Sequence, residues 1–197
     1  MFYTRRAFIR QYFRNIRQKL TLEERKMSSV NISDIAFSCK KISSSKNIAI
    51  FMSFDGEIDT NILIKQFWEK NYSVFLPIVD PDYKKTLLFA KYFPSTLLQL
   101  NQFNILEPVI TKKEDILFHS DMDVIIVPLV AFDKFGYRLG MGGGFYDKIL
   151  INWKKEGFFP IGLAYNFQLM NKIIPASWEV PLPAVITPDK LWIWNMN

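Results

Sequence analysis

The chain reads as an α/β protein with a mostly parallel sheet and helices on both faces, a three-layer arrangement of the doubly wound type. Three observations predict this. Short apolar runs rich in β-branched residues alternate with segments of helical spacing, the order that builds parallel sheets. The runs are apolar throughout, as in strands buried on both faces. The motifs that carry chemistry fall just after these runs, where open α/β sheets bind their ligands.

Residues 4–20 (TRRAFIRQYFRNIRQKL) predict a basic helix. Thr21 and Glu24 form a T-x-x-E capping box that opens a second helix running to about Ile42. KISSSKN (41–47) is the loose linker candidate, and NIAIFMS (47–53) is the first core strand. Residues 58–70 predict a crossover helix with Ile62, Phe67 and Trp68 on its apolar side. SVFLPIV (73–79) follows as a strand interrupted at Pro77, since proline has no N–H for a ladder. Residues 87–92 suit an edge strand and 94–120 read as irregular. DVIIVP (123–128) is a buried strand, and a helix resumes at Phe145, Ile149, Leu150 and Trp153, spaced i, i+4, i+5 and i+8. FPIGLAY (159–165) and AVITP (184–188) supply the last strands.

A length of 197 residues with 49% hydrophobic content suits a single domain spanning 1–197. The net charge of +6 points to polyanionic partners. Nucleic acid is not the expected one, because zinc-ligand spacing, an RNP-like strand and a recognition helix are all missing. The single Cys39 sits among Ile35, Phe37 and Ile42, so burial in a reducing cytoplasm is expected. The apolar runs fall far short of the roughly 18–20 residues of a membrane span, so no membrane association is expected. The Arg-rich, acid-free start has the composition of a mitochondrial targeting helix, and cytoplasmic residence is preferred. The lone His119 lies far from every motif, so no catalytic histidine is expected.

Residues 127–150 (VPLVAFDKFGYRLGMGGGFYDKIL) hold the densest chemistry. Four glycines, Gly140, Gly142, Gly143 and Gly144, surround Met141, and such a cluster implies unusual dihedrals or close ligand approach. A helix starting there would aim free N–H groups at an anion. The spacing is neither that of a P-loop nor that of a dinucleotide fingerprint. Arg138 adds planar donors, and Asp147 places a carboxylate where it can hold Mg²⁺ against phosphate. The plainer alternative is a tight turn whose Asp147 complements the helix dipole.

FDKFGYRLGMGGGFYDKIL resembles the signature of the 5-formyltetrahydrofolate cyclo-ligase family, in its enterobacterial form. RRAFIRQYFRNIRQKLTLEER, IAIFMSFDGEIDT, IGLAYNFQ and SWEVPLPAVITPDKLW extend the likeness over essentially the whole chain. The resemblance implies an ATP- and Mg²⁺-dependent ring closure of 5-formyltetrahydrofolate, with or without a polyglutamate tail, by a cytoplasmic enzyme expected to be a monomer. It also implies residue roles. Arg6, Arg10, Arg138, Gly140, Met141, Gly142, Gly143, Gly144 and Tyr146 would contact ATP, with Arg138 and Tyr146 the catalytic pair. Met52, Glu57, Phe103, Gly144 and Phe145 would contact the folate, and Asp147 and Glu179 would hold Mg²⁺. Arg5, Arg14 and Arg17 read as a solvated basic face. Two positions depart from the wider family: Gly143 stands where many members carry lysine, and Phe145 where many carry tyrosine. Glu179 replaces an aspartate, so its contact with Mg²⁺ is direct or through water, or it is a surface acid.

Overall fold

The computed structural model describes residues 2–79 and 87–195, with side chains from residue 5 onward. The expected domain range of 1–197 therefore takes in some residues outside those described. The N-terminal half runs α1 (Phe2–Lys19), α2 (Leu22–Ala36), α3 (Lys40–Ser43), β1 (Asn47–Ala49), α4 (Asn61–Glu69), β2 (Ser73–Val79) and β3 (Leu87–Lys91). Then follow β4 (Leu98–Leu100), β5 (Leu106–Pro108), β6 (Ile116–Leu117), β7 (Val124–Pro128), β8 (Ala131–Asp133) and β9 (Arg138–Leu139). The chain closes with α5 (Phe145–Leu150), α6 (Trp153–Glu156), β10 (Phe159–Leu163), β11 (Leu169–Met170), β12 (Ala184–Ile186) and β13 (Leu191–Ile193).

The main sheet has the order β13-β12-β10-β7-β1-β2-β3-β6. The five strands from β12 to β2 are parallel, and β13, β3 and β6 add antiparallel edges. Strand alternation sorts the core into two layers. Ile48, Val124, Ile126, Leu163 and Ile186 face a cluster shared with Ile32 of α2 and Leu63, Ile64 and Phe67 of α4. Ala49, Ile125, Val127 and Val185 face the opposite cluster with Ile149 and Leu150 of α5. The expected three-layer α/β class is the observed one. No helix among the described residues is long and apolar enough to cross a membrane.

Several boundaries differ from expectation. The capping box forms as predicted: Thr21 Oγ1 accepts from Glu24 N at 3.2 Å, and Glu24 Oε2 accepts from Thr21 N at 2.8 Å. But α2 ends at Ala36 instead of near Ile42, because i→i−3 bonds at Ser38 and Cys39 tighten the chain while Phe37 turns onto Phe67 and Tyr72. Cys39 is buried. The linker candidate starts in the single turn of α3 and ends where β1 begins at Asn47. Pro77 does not interrupt β2. Phe75 O accepts from Ile50 N, so residues 75 and 77 direct their backbone groups toward β1, and β1 has already ended at Ala49. The missing N–H of Pro77 therefore breaks no ladder.

The span 94–120 is not structureless. It carries the β4–β5 hairpin, two 3₁₀ turns and the edge strand β6. The segment between β7 and the glycines holds β8 and β9, which pair with each other and join β11 in a small second sheet. The glycine-started helix is also shorter than its spacing suggested. It ends at Leu150, and Trp153 opens the separate α6.

Candidate functional site

Strand order reverses between β7 and β1: the chain steps from β1 to β2 on one side and from β7 to β10 and β12 on the other. Beyond the carboxyl ends of these strands lies a cavity of about 470 Å³. Its location is where open α/β sheets take ligands, because the diverging connections leave a crevice there. Phe51 and Met52 follow β1, Pro77 and Val79 end β2, and Pro128 ends β7, all on the wall. All the candidate residues named from the sequence lie on this wall except Arg6, which reaches it through Glu179.

The glycine loop is built for close approach. Gly142 and Gly144 have φ of 106° and 74°, a region that side chains disfavour. A Cβ on Gly142 would lie 3.4 Å from the Arg10 guanidinium carbon, so the loop rests against that cation. Arg10 Nε donates to the Gly140 carbonyl at 2.8 Å. Burial, then the neighbouring Arg6, lower the Arg10 pKa from its ordinary value, with Glu179 and Asp147 opposing. A Cβ at 143 would come within 2.9 Å of the Phe145 ring, so that ring fills the space a side chain would need.

Arg138 and Asp147 form one ion pair, at 2.5 Å from Nη2 to Oδ1. The β8–β9 hairpin sets this geometry, because Asp133 at its turn is fully buried and accepts from the N–H groups of Phe135, Tyr137 and Ile173. Arg6 and Glu179 form the second pair, and Glu179 Oε2 also accepts from Ala176 N at 2.8 Å. Glu179 is thus a buried, arginine-held acid on the cavity wall and not a surface acid. Among the described residues no three His, Cys, Asp or Glu side chains cluster as a metal cage. Two carboxylates on one wall nonetheless suit Mg²⁺, which is commonly held by one or two carboxylates plus ligand phosphates.

On the part of the wall after β1, Glu57 is 7% exposed and its Oε1 has no hydrogen-bond partner. Burial pushes its pKa up to about 7 against the pull of Arg17. Burial, with Glu57 nearby, also raises Tyr146 well above the ordinary tyrosine value. Phe103 sits in the connection of the β4–β5 hairpin and meets Phe145 edge to face at 5.7 Å. That hairpin also brings Asn101, Ile105 and Leu106 to the wall. The sequence reading missed them, and no alternation marks so short a pair of half-exposed strands. The expected solvated face fits Arg14, whose side chain is 36% exposed, but not Arg17. Arg17 is fully buried, and both arginines bind Asp55. The signal was present, since Arg6, Arg10 and Arg17 share the helix face of Ile9, Phe13 and Ile16.

Fold and cavity together define an α/β protein with a crevice lined by glycines and arginines at its switch point. The profile of the 5-formyltetrahydrofolate cyclo-ligase family matches residues 3–188. The chain belongs to that family, and it is an enzyme. It is 48% identical over 147 residues to the 5-formyltetrahydrofolate cyclo-ligase of Escherichia coli, covering 75% of this chain and 80% of that one. The cyclo-ligase of Haemophilus influenzae is 42% identical over 178 residues, covering 90% and 95%. The solution structure of Aquifex aeolicus 5,10-methenyltetrahydrofolate synthetase superposes with a TM-score of 0.80 at 28% identity, over 95% of this chain and 92% of that one.

Proposed function

We propose that the enzyme closes the ring of 5-formyltetrahydrofolate to give 5,10-methenyltetrahydrofolate, using ATP with Mg²⁺ and releasing ADP and phosphate. The observation that carries the reading is one cavity whose wall combines two chemistries. One part offers glycine N–H groups with Arg10 and Arg138, and the other a lone buried carboxylate among Phe51, Met52 and Phe54. The first suits a triphosphate and the second an N–H-rich heterocycle in an apolar slot.

The formyl oxygen is a poor leaving group. In the proposed route it attacks the γ-phosphorus and ADP leaves, giving an iminium phosphate. N10 then attacks the activated carbon and gives up its proton to the phosphate, which departs with the oxygen as the ring closes. Such chemistry asks the protein for positioning and charge neutralisation more than for covalent catalysis. Arg138 would stabilise charge on the transferred group, and Arg10 with the loop N–H groups would hold the other phosphates. Tyr146, kept protonated by burial, offers a further donor on the wall. Asp147, and Glu179 directly or through water, would hold Mg²⁺, whose contribution is to neutralise phosphate charge. Glu57 would accept hydrogen bonds from the pterin, with Met52, Phe103 and Phe145 packing on its ring.

The basic composition has a second explanation besides nucleic acid: Arg6, Arg14 and Arg17 bind carboxylates and Arg10 a carbonyl, all within the fold. The test is the absorbance rise of methenyltetrahydrofolate on mixing enzyme, (6S)-5-formyltetrahydrofolate, ATP and Mg²⁺. The expected rise requires all four. Ligand binding without any rise would sink the catalytic reading and leave a binding protein.

A further inference from the structure

Behind Glu57 on the cavity wall lies an arginine that the proposed mechanism does not use. Arg17 is fully buried. Its Nη2 donates to Asp55 Oδ2 at 3.0 Å, and its Nη1 lies 3.5 Å from the Leu129 carbonyl and 3.9 Å from Glu57 Oε1. Its Nε has no partner. The turn that carries Glu57 is pressed onto this residue. Asp55 and Gly56 both adopt positive φ, of 49° and 74°, and a Cβ on Gly56 would lie 3.2 Å from the main chain of Arg17.

The two acids of the turn are treated unequally. Asp55 is bound by Arg14 at 2.6 Å, by Arg17 and by Gln18 at 2.9 Å. Glu57 has Phe54 N on Oε2 at 3.3 Å and nothing at hydrogen-bond distance on Oε1. The groups facing Glu57 are Arg17 from α1, Asp55 from its own turn, Tyr146 from α5 and Tyr165, whose hydroxyl donates to the Glu57 carbonyl at 3.3 Å. Arg17 is the cation of that set.

We propose that Arg17 is a positioning residue for substrate recognition. Anchored on Asp55, its buried guanidinium holds Glu57 toward the cavity and favours its charged, acceptor-only form over the protonated one. The inference rests on the reading that Glu57 takes the pterin. Removing the cation leaves a buried acid that holds its proton at neutral pH, and one acceptor of the site becomes a donor. Removing the charge of Asp55 does the opposite: one repulsive neighbour goes, and Arg17 is released toward Glu57.

The experiment measures binding of 5-formyltetrahydrofolate without ATP, by intrinsic fluorescence across pH, to the wild type and to Arg17→Met, Arg17→Lys, Asp55→Asn and Glu57→Gln. The midpoint of the pH dependence moves up by roughly 1–3 units in Arg17→Met, by the amount an opposite charge at this range contributes. It stays close to wild type in Arg17→Lys and moves down in Asp55→Asn, where asparagine tolerates the left-handed turn. Opposite movements cannot come from general damage to the turn. Unchanged midpoints in the Arg17 and Asp55 variants overturn the inference. If Arg17→Met does not fold, Asp55→Asn decides alone, a downward shift supporting the inference and a fixed midpoint sinking it. Glu57→Gln separates the two readings. It flattens the pH dependence if Glu57 takes the pterin, and an unaltered wild-type profile in this variant removes that reading and the inference with it.

Discussion

The glycine loop and the acidic turn handle charge in opposite ways. At the glycine loop each carboxylate has its own arginine, Asp147 with Arg138 and Glu179 with Arg6. At the acidic turn two arginines converge on Asp55, and Glu57 is left with a cation 3.9 Å away and an unpartnered oxygen. Paired charges have little effect at long range and can exchange partners when a charged ligand arrives. An underpaired buried acid is costly by itself and gains a great deal from a neutral donor ligand. The difference matches the two chemistries proposed, a polyanion with a metal at the loop and an N–H donor at the turn.

The largest expected effect tests the glycine loop. Arg138→Met should lower kcat by about 10²–10³-fold, as loss of one charge-stabilising donor does. A near-normal kcat would show that the pairing with Asp147 is structural only. Next comes Glu57. Its folded pKa of about 7 lies above the ordinary 4.5, so its contribution to stability is full below pH 4.5 and is lost as pH rises through 7. The wild type should lose about 3 kcal/mol over that window through this residue, and Glu57→Gln should not. Urea denaturation at a series of pH values measures the gap. Parallel curves for the two proteins would mean that Glu57 is solvated in solution.

A smaller effect distinguishes the two ion pairs. Asp147→Ala should weaken the apparent Mg²⁺ affinity by roughly 10–100-fold, the scale seen when a metal's supporting groups are lost. Glu179→Ala should do less if its contact runs through water, and Mg²⁺ titrations of turnover rank the two. Unchanged Mg²⁺ dependence in both variants would assign these acids to arginine positioning. The smallest effect belongs to the hairpin. Phe103→Ala removes one edge-to-face contact, worth about 0.5–1.5 kcal/mol, and should raise the folate KM roughly 2- to 10-fold with kcat unchanged.

What the sequence revealed follows from how each segment is buried. The central strands β1, β2, β7, β10 and β12 were legible because burial on both faces demands continuous apolar residues, as in VIIVP. The β4–β5 hairpin was not, because Leu98, Gln99 and Leu100 show no inward face and Leu100 is exposed. The glycine loop and Arg138 were legible as chemistry, while the β8–β9 hairpin that aims Arg138 was too short to show a period. Arg17 was the clearest miss. Arginine is so seldom fully buried that its place in an apolar stripe was outweighed by its charge. The stripe was the better guide.

The contact between Gly143 and the Phe145 ring also bears on how the loop tolerates change. A side chain at 143 is not simply accommodated, because its first carbon meets the ring at 2.9 Å and the ring must move before it is tolerated. Substitutions at 143 and 145 are therefore expected to be epistatic, with the order of change constrained. Shortening position 145, as in Phe145→Ala, should recover what Gly143→Lys alone loses.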